Sequence, residues 1–435
     1  MIPPRTADVL ADRVDAVLRE CPGCGLFQIE PALSPGLTAR CERCGTTLRR
    51  TRQHPLDHSL ALAFAALILL TVMCMSTLMT VSTSGIMHQA GIFSGPVELV
   101  RRSMSALAVV VVFVTVVAPL SNLIGTIYVL LRIREAKPPR HLRRVFALVE
   151  RLSTWSMVEV FVFGVFVAYV KLGDLVRIEL DTGVYALFAL TFVLVWVDAA
   201  LDREAVWDAF DSGRAREVSR LALRSGRVPP GSIGCETCTL VAIPDAHGAA
   251  CPRCGSPLHA RKPDSIAWTW ALVLAAAVLY VPANIYPVLT VMQLDAGQPS
   301  TILGGVRELI QSRMYPLAAL VFFASIAVPM LKLVGLTAML ISVQIGHTRW
   351  LRDRTRLYYI IRRIGRWSMI DIFMEALLGA LVQFGGVVTI EPGIGAVAFC
   401  AVVILTIFAA ETFDPRIMWD AAEEPTSVNR VHARA

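Results

Sequence analysis

A chain of 435 residues has room for two or three soluble domains, but 55% of this one is hydrophobic and only 17% is charged. With a mean hydropathy of +0.60, that balance excludes a soluble globular protein and fits a polytopic membrane protein. The net charge of +7 is accounted for by membrane topology and anionic lipid headgroups, so no nucleic-acid partner is expected.

In chain order, residues 1–56 read as a small metal module. Cys21 and Cys24 sit in "CPGCG", and Cys41 and Cys44 follow in "CERCG" after sixteen residues. Two CxxC turns brought together supply four thiolates at tetrahedral distances, the donor set of a structural Zn2+ site. Residues 205–264 form a linker and a second module, with Cys235 and Cys238 in "CETC" followed after twelve residues by Cys251 and Cys254 in "CPRCG". Glycine follows three of the four second cysteines and lets those turns tighten. Sulfur takes all four positions at each site, leaving none for a catalytic water, so both modules read as zinc ribbons with a structural or adaptor role. Redox disulfides are the rival reading, which cytoplasmic placement disfavours because thiols stay reduced there. A ribbon this small buries little apolar surface, and metal binding supplies its folding energy. Cys74 and Cys400 lie inside apolar runs and read as packing residues.

A helix needs about 20 apolar residues to cross the hydrocarbon core. Eight stretches approach that length: 59–82, 104–131, 155–172, 183–201, 266–292, 315–343, 367–390 and 394–412. They fall into two groups of four, within 57–204 and 265–415. No apolar run precedes residue 59, so no cleavable signal peptide is expected. Lys and Arg resist translocation and mark the cytoplasmic side. Residues 1–58 hold eight Arg, the 132–154 and 344–366 loops seven basic residues each, and 203–265 nine. The intervening loops 83–103, 171–182 and 293–313 hold two each, and 384–393 none. Both termini and both ribbons are therefore expected in the cytoplasm. His54 and His58 read as interfacial, and the last stretch, 416–435, as a tail whose final "EEPTSVNRVHARA" is disordered.

The two groups repeat one another. "VELVRRSM" (97–104) matches "RELIQSRM" (307–314), and Pro119, Leu123 and Gly125 match Pro329, Leu333 and Gly335, all at an offset of 210. "WSMVEVF" from Trp155 and "WSMIDIF" from Trp367 stand 212 apart, as do "LDREAVWD" (201–208) and "FDPRIMWD" (413–420). Four spans per copy give both halves one orientation, a parallel repeat, and such repeats place substrate paths at their interface. The fifth span carries "VPANIYPVLTV", with Pro282, Asn284 and Pro287 as substrate-path candidates, where the first half has "VMCMSTLMTV". Proline inside a span frees carbonyls, which marks the second half as the more specialised.

The CxxC modules, "PANIYPV", the repeated "WSM[IV][DE][IV]F" and the closing "FDPRIMWD" together resemble the paraquat-inducible protein A family of bacterial inner-membrane proteins. The resemblance covers nearly the whole chain. It implies an MCE-domain periplasmic partner and a role in moving lipids or other hydrophobic molecules between inner and outer membranes.

No GxxxxGK[ST] loop, nucleophile elbow or HExxH occurs, so the chain does not read as an enzyme. Ionisable residues within spans are the better lead, because burying them at mid-bilayer is costly. Lys332 is the deepest, with Asn122 as its first-half counterpart. Asp371 and Glu375 share a helical face at i, i+4, and either is expected to pair with Lys332. Thr406 and Glu411 on the last span, and Glu159 and Asp198 in the first half, complete the candidates for transport or proton relay. The bland alternative is a structural ion pair or interfacial carboxylates, since Glu159 and Asp371 each follow an anchoring Trp by four residues. The expected architecture is an all-α, eight-span membrane protein with two cytoplasmic zinc ribbons. The expected function is lipid movement coupled to protons; the alternatives are a non-transporting anchor for the MCE partner, or a zinc- or redox-responsive sensor.

Overall fold

A computed structural model describes residues 16–31, 33–52, 55–83, 86–135, 139, 141–173, 177–210, 217–244, 250–293, 296–381, 383–384 and 388–422. His54 and the 423–435 tail lie outside the described residues. The first cysteine module pairs β1 (Val17–Glu20) with β2 (Phe27–Glu30) and β3 (Thr38–Arg40) with β4 (Thr47–Arg50). Then come α1 (Pro55–Met75), the hairpin β5 (Thr77–Thr83) and β6 (Ile86–Gly91), and the short α2 (Ser94–Arg101). The long α3 (Ser105–Arg132) carries a π-turn at Phe113–Val117. It is followed by α4 (Leu142–Ser153), α5 (Val158–Gly173), β7 (Arg177–Leu180), α6 (Thr182–Ala200) and α7 (Arg203–Ala209). A linker helix α8 (Glu217–Ser225) leads to the second module, with β8 (Ile233–Gly234) and β9 (Val241–Ala242).

The second half runs through the same order: α9 (Ser265–Ile285), β10 (Leu289–Gln293), β11 (Ala296–Ser300) and α10 (Ile302–Gln311). Next come α11 (Tyr315–Gln344) with a π-turn at Phe323–Ala327, then α12 (Leu351–Ile364), a 3-10 turn at Gly365–Met369 and α13 (Ile370–Leu381). Strands β12 (Gln383–Phe384) and β13 (Val388–Pro392), α14 (Ile394–Thr412) and the single turn α15 (Ile417–Asp420) finish it. Both π-turns lie just ahead of a proline, Pro119 or Pro329, whose ring cannot donate an N–H. In each, a hydroxyl of the π-turn donates to the carbonyl one turn back: Thr115 to Val111 O at 2.7 Å and Ser325 to Val321 O at 2.6 Å.

Among the described residues, seven helices are long and apolar enough to cross a membrane. The expected span 367–390 is α13 alone for its helical part, 12 residues long, before the chain turns extended. Its counterpart α5 counts within the span Leu142–Lys171, whose apolar stretch runs along α5. In the second half Arg366, Asp371 and Glu375 stand where the first has Thr154, Glu159 and Phe163, and the matching stretch is too charged for that. The basic stretches read as loops, 132–154 and 344–366, are thus largely helix, and each "WSM" phrase is the joint between an amphipathic helix and a buried one.

Two small antiparallel sheets, β6-β5-β7 and β11-β10-β13-β12, stand at the helix ends opposite the cysteine modules. Their apolar residues made the first and fifth spans look longer in sequence than the helices are: β5, "TLMTVST", is strand with period two. Pro282 falls in the last turn of α9, where only one ladder bond is lost, and Asn284 Nδ2 donates back to Tyr280 O at 2.8 Å. Pro287 turns the chain into β10, and its carbonyl accepts from Gly395 N at 3.1 Å. A Cβ on Gly393 would stand 2.1 Å from that carbonyl, so glycine is required there.

Within each half, α1 packs along α6, and α9 along α14. The halves meet along α5 and α13, the helices that follow the two "WSM" joints. A Cβ on Gly164 would lie 2.8 Å from the Phe373 Cβ, and Phe161 meets Phe373 edge-on at 5.4 Å. Each joint tryptophan crosses to the other half: Trp155 sits 5.2 Å from Phe408, and Trp367 4.8 Å from Phe163. The apolar core along this seam is continuous through both halves, whereas Phe192, Val278 and Ile285 face outward as lipid-facing side chains do.

Candidate functional site

In both cysteine modules the four Sγ atoms lie within 4.8 Å of one another and all eight residues are buried. None forms a disulfide. The same turn recurs at every CxxC: the residue after the second cysteine donates its N–H to the carbonyl of the first, at 2.8–2.9 Å. That residue has positive φ, which Gly25, Gly45 and Gly255 adopt without strain; the fourth is Thr239, at φ 59°. Thr239 is held there by Arg19, whose Nη1 donates to its hydroxyl at 2.7 Å. Further backbone N–H groups point at sulfur, from Gly23 to Cys21 at 3.4 Å and from Ser256 to Cys254 at 3.5 Å. Four buried thiols with N–H donors behind them fit a tetrahedral thiophilic metal ion.

Each module docks on the half other than the one it directly precedes in the chain. The first, with Leu26 and Leu48, packs among Tyr358, Ile361, Phe413 and Trp419 of the second half. The second packs on Phe146, Trp207 and Phe210 of the first half. The two repeated "WD" endings explain the arrangement. Trp419 lies beneath Arg43 at 4.4 Å and donates to Thr355 Oγ1 at 2.9 Å. Asp208 and Asp420 take arginines, Arg253 at 3.4 Å and Arg261 at 2.6 Å. A buried ionic latch ties the modules to the second half: Arg416 contacts Asp414, Glu20 and Glu236 at 2.9, 3.1 and 2.6 Å. Burial works to raise the Asp414 pKa, but the Arg416 contacts prevail and hold it below the ordinary carboxylate value. At Glu20 burial outweighs Arg416 and Arg261, and its pKa is raised. Helix α8 fills the space between the modules, with Ser219 Oγ accepting from Leu18 N at 3.2 Å.

The most buried cation is Lys332, 1% exposed on α11. Its Nζ donates to Thr406 Oγ1 at 3.1 Å, and Thr406 in turn donates to Val403 O at 2.9 Å. The lysine lies against the 3-10 turn: a Cβ on Gly365 would stand 2.9 Å from Lys332 Cε. The expected pairing with Asp371 or Glu375 is not present. Those carboxylates lie beyond the turn on α13, 5% and 3% exposed, with Ser325 of the π-turn beside Asp371. The lysine facing them is Lys171, from the other half.

The family model described as Paraquat-inducible protein A matches residues 56–211 and 266–423, one segment in each half. The chain belongs to the paraquat-inducible protein A family. It is 34% identical over 408 residues to Intermembrane transport protein PqiA of Escherichia coli (strain K12), covering 93% of this chain and 96% of that protein. It is 31% identical over 406 residues to Lipophilic envelope-spanning tunnel protein A of the same strain, covering 93% and 92%. Probable intermembrane transport protein of Haemophilus influenzae is 25% identical over 401 residues, covering 92% and 94%. No solved structure matches.

In this member of the paraquat-inducible protein A family the remaining candidates are dispersed. Glu159 pairs across the seam with Arg366 at 3.5 Å. Asp198 lies 3.4 Å from Arg203, and both border a cavity of about 40 Å³ with Glu159, Asn122 and Glu150. Glu411 is not in the Lys332 cluster; it forms a two-pronged pair with Arg362 at 2.9 and 3.0 Å toward the cysteine modules. Pro282, Asn284 and Pro287 shape the α9–β10 corner and line none of the cavities around the buried carboxylates. Ser325, Gly365, Lys171 and Arg366 escaped the sequence reading. A signal existed for Ser325, because Thr115 stands at the repeat offset with a hydroxyl of its own.

Proposed function

We propose that this chain is the membrane component of an intermembrane transport system, moving lipids or other hydrophobic molecules with an MCE-domain partner in the periplasm. The names of its relatives and their coverage of nearly the whole chain support a transport role. The charge alternation supports an inner-membrane orientation with both cysteine modules in the cytoplasm and the two sheets toward the periplasm. A buried set of four thiolates, two from each of two CxxC turns, supports Zn2+ as the metal. There it braces the ribbon fold and leaves chemistry to other residues.

The observation that carries the mechanism is Lys332, a buried amine whose one hydrogen-bond partner among the described residues is a threonine hydroxyl. A proton exchanged between Lys332 and Asp371 around the Gly365–Met369 turn changes the charge on both sides of the joint that the two halves share. The joint is the element whose angle such a change biases. Thr406 orients the lysine, and Asp371 with Glu375 supplies the opposite charge.

Two measurements test the reading. The full chain, purified in mild detergent, is expected to carry phospholipid and an MCE-domain protein; absence of both contradicts it. In cells lacking related systems, Lys332→Ala and Asp371→Asn are each expected to abolish complementation by a well-folded chain. Full complementation by both removes the proton relay.

A further inference from the structure

Near the sheet end of the α5–α13 seam is a gap with no counterpart across the repeat. In the first half, α2 closes hard on α13: a Cβ on Gly95 would stand 2.7 Å from the Ala376 carbonyl oxygen. The matching helix, α10, does not close on α5. A Cβ on Gly305 would meet nothing nearer than the Ser300 hydroxyl, at 3.8 Å. A cavity of about 50 Å³ lies there, bordered by Lys171, Ser300, Thr301, Gly305, Asp371 and Glu375. By the same measure a water needs about 10–15 Å³, so the space suits a few waters or one small polyatomic ion.

Two carboxyl groups stand unsatisfied in its otherwise largely apolar wall. Asp371 and Glu375 are 5% and 3% exposed, and Asp371 Oδ1 and Glu375 Oε2 each have no hydrogen-bond partner among the described residues. Lys171 borders the same space and faces both carboxyl groups. Buried acceptors left without a donor are costly, and here two of them, one helical turn apart, face one open space. The geometry points to a binding site for a small monocationic group, the size of an ammonium, held between Asp371 and Glu375 with the Ser300 and Thr301 hydroxyls around it. A phospholipid ethanolamine headgroup and a free inorganic monocation share that chemistry. The first source rests on the lipid-transport reading; the second does not.

The full chain is exchanged into nanodiscs of equal phosphatidylethanolamine and phosphatidylglycerol, re-extracted, and its retained lipids are counted by mass spectrometry. In parallel, thermal unfolding is followed in methylammonium, sodium or tetramethylammonium chloride at matched ionic strength. The headgroup source predicts enrichment of phosphatidylethanolamine, lowered roughly tenfold by Glu375→Gln, about 1.4 kcal/mol. Methylammonium raises the unfolding temperature and bulky tetramethylammonium does not. Gly305→Leu, which fills the gap, abolishes both effects, while Asn122→Leu, in the first half and outside it, preserves them. Protection by sodium without headgroup preference assigns the site to a free cation. No protection by either small cation, together with an unchanged lipid ratio in Glu375→Gln, overturns the site. Complete failure to retain phospholipid contradicts the transport reading instead, and leaves the methylammonium result to decide the site.

Discussion

Lys332 owes its environment to three neighbours from three elements: Thr406 on α14, Gly365 in the 3-10 turn, and the surrounding α11. Thr406→Val keeps the shape but removes the acceptor, leaving a buried ammonium unpartnered. It is expected to lower unfolding stability by about 1–3 kcal/mol and to impair transport; unchanged thermal melting in detergent would count against the contact. Gly365→Ala is a subtler probe. Its Cβ meets the far end of a flexible side chain at 2.9 Å, so the chain folds while Nζ is displaced from Thr406, and transport is expected to fall with little change in melting temperature. Sequence alone located Lys332, because an ionisable group deep in an apolar run is conspicuous. It misassigned the partner. Helical periodicity aligns Asp371 with Glu375, but whether either meets Lys332 depends on the turn at Gly365–Met369, and no local pattern encodes that turn.

At the level of elements, the two "WSM" phrases are joints. Each carries the chain from an amphipathic helix into a buried one and sends its tryptophan across the seam. The cysteine modules were legible because CxxC spacing encodes its own geometry; their crossed docking was not, because it is written in the distant Trp207 and Trp419. Stripping metal from the first module alone, by Cys21→Ser, is expected to raise hydrogen exchange in Leu351–Ile364 and Ile417–Asp420. Cys235→Ser should do the same to Leu142–Ser153. The opposite assignment, each module loosening its own half, would contradict the crossed docking. The glycines of α2 and α10 make a second contrast. Gly95→Ala presses on backbone and is expected to destabilise by about 1–3 kcal/mol. Gly305→Ala has space, and is expected to be neutral or to gain about 0.5–1 kcal/mol from the helix, as thermal unfolding of the two variants would show.

Across the whole molecule, one architecture written twice has been put to unequal use. The repeated order of helices, π-turns and strands is visible in the sequence offsets of 210 and 212. The strands themselves were hidden inside apolar runs that composition cannot separate from helix. The modules, α8 and the Arg416 latch bind both halves at one end, and the cavity of Lys171, Asp371 and Glu375 lies toward the other. Arg416→Ala leaves Asp414, Glu20 and Glu236 without their shared cation, and is expected to cost about 3–5 kcal/mol. The buried polar chemistry is concentrated in the second half: Lys332 and Thr406 have Asn122 and Leu194 as their first-half counterparts. The most direct test compares lipid transport by Lys332→Met with that by Asn122→Leu, in chains matched for expression and partner binding. Loss of transport in the first and its retention in the second is the predicted result; equal retention, or loss only in Asn122→Leu, would contradict the placement of function in the second half.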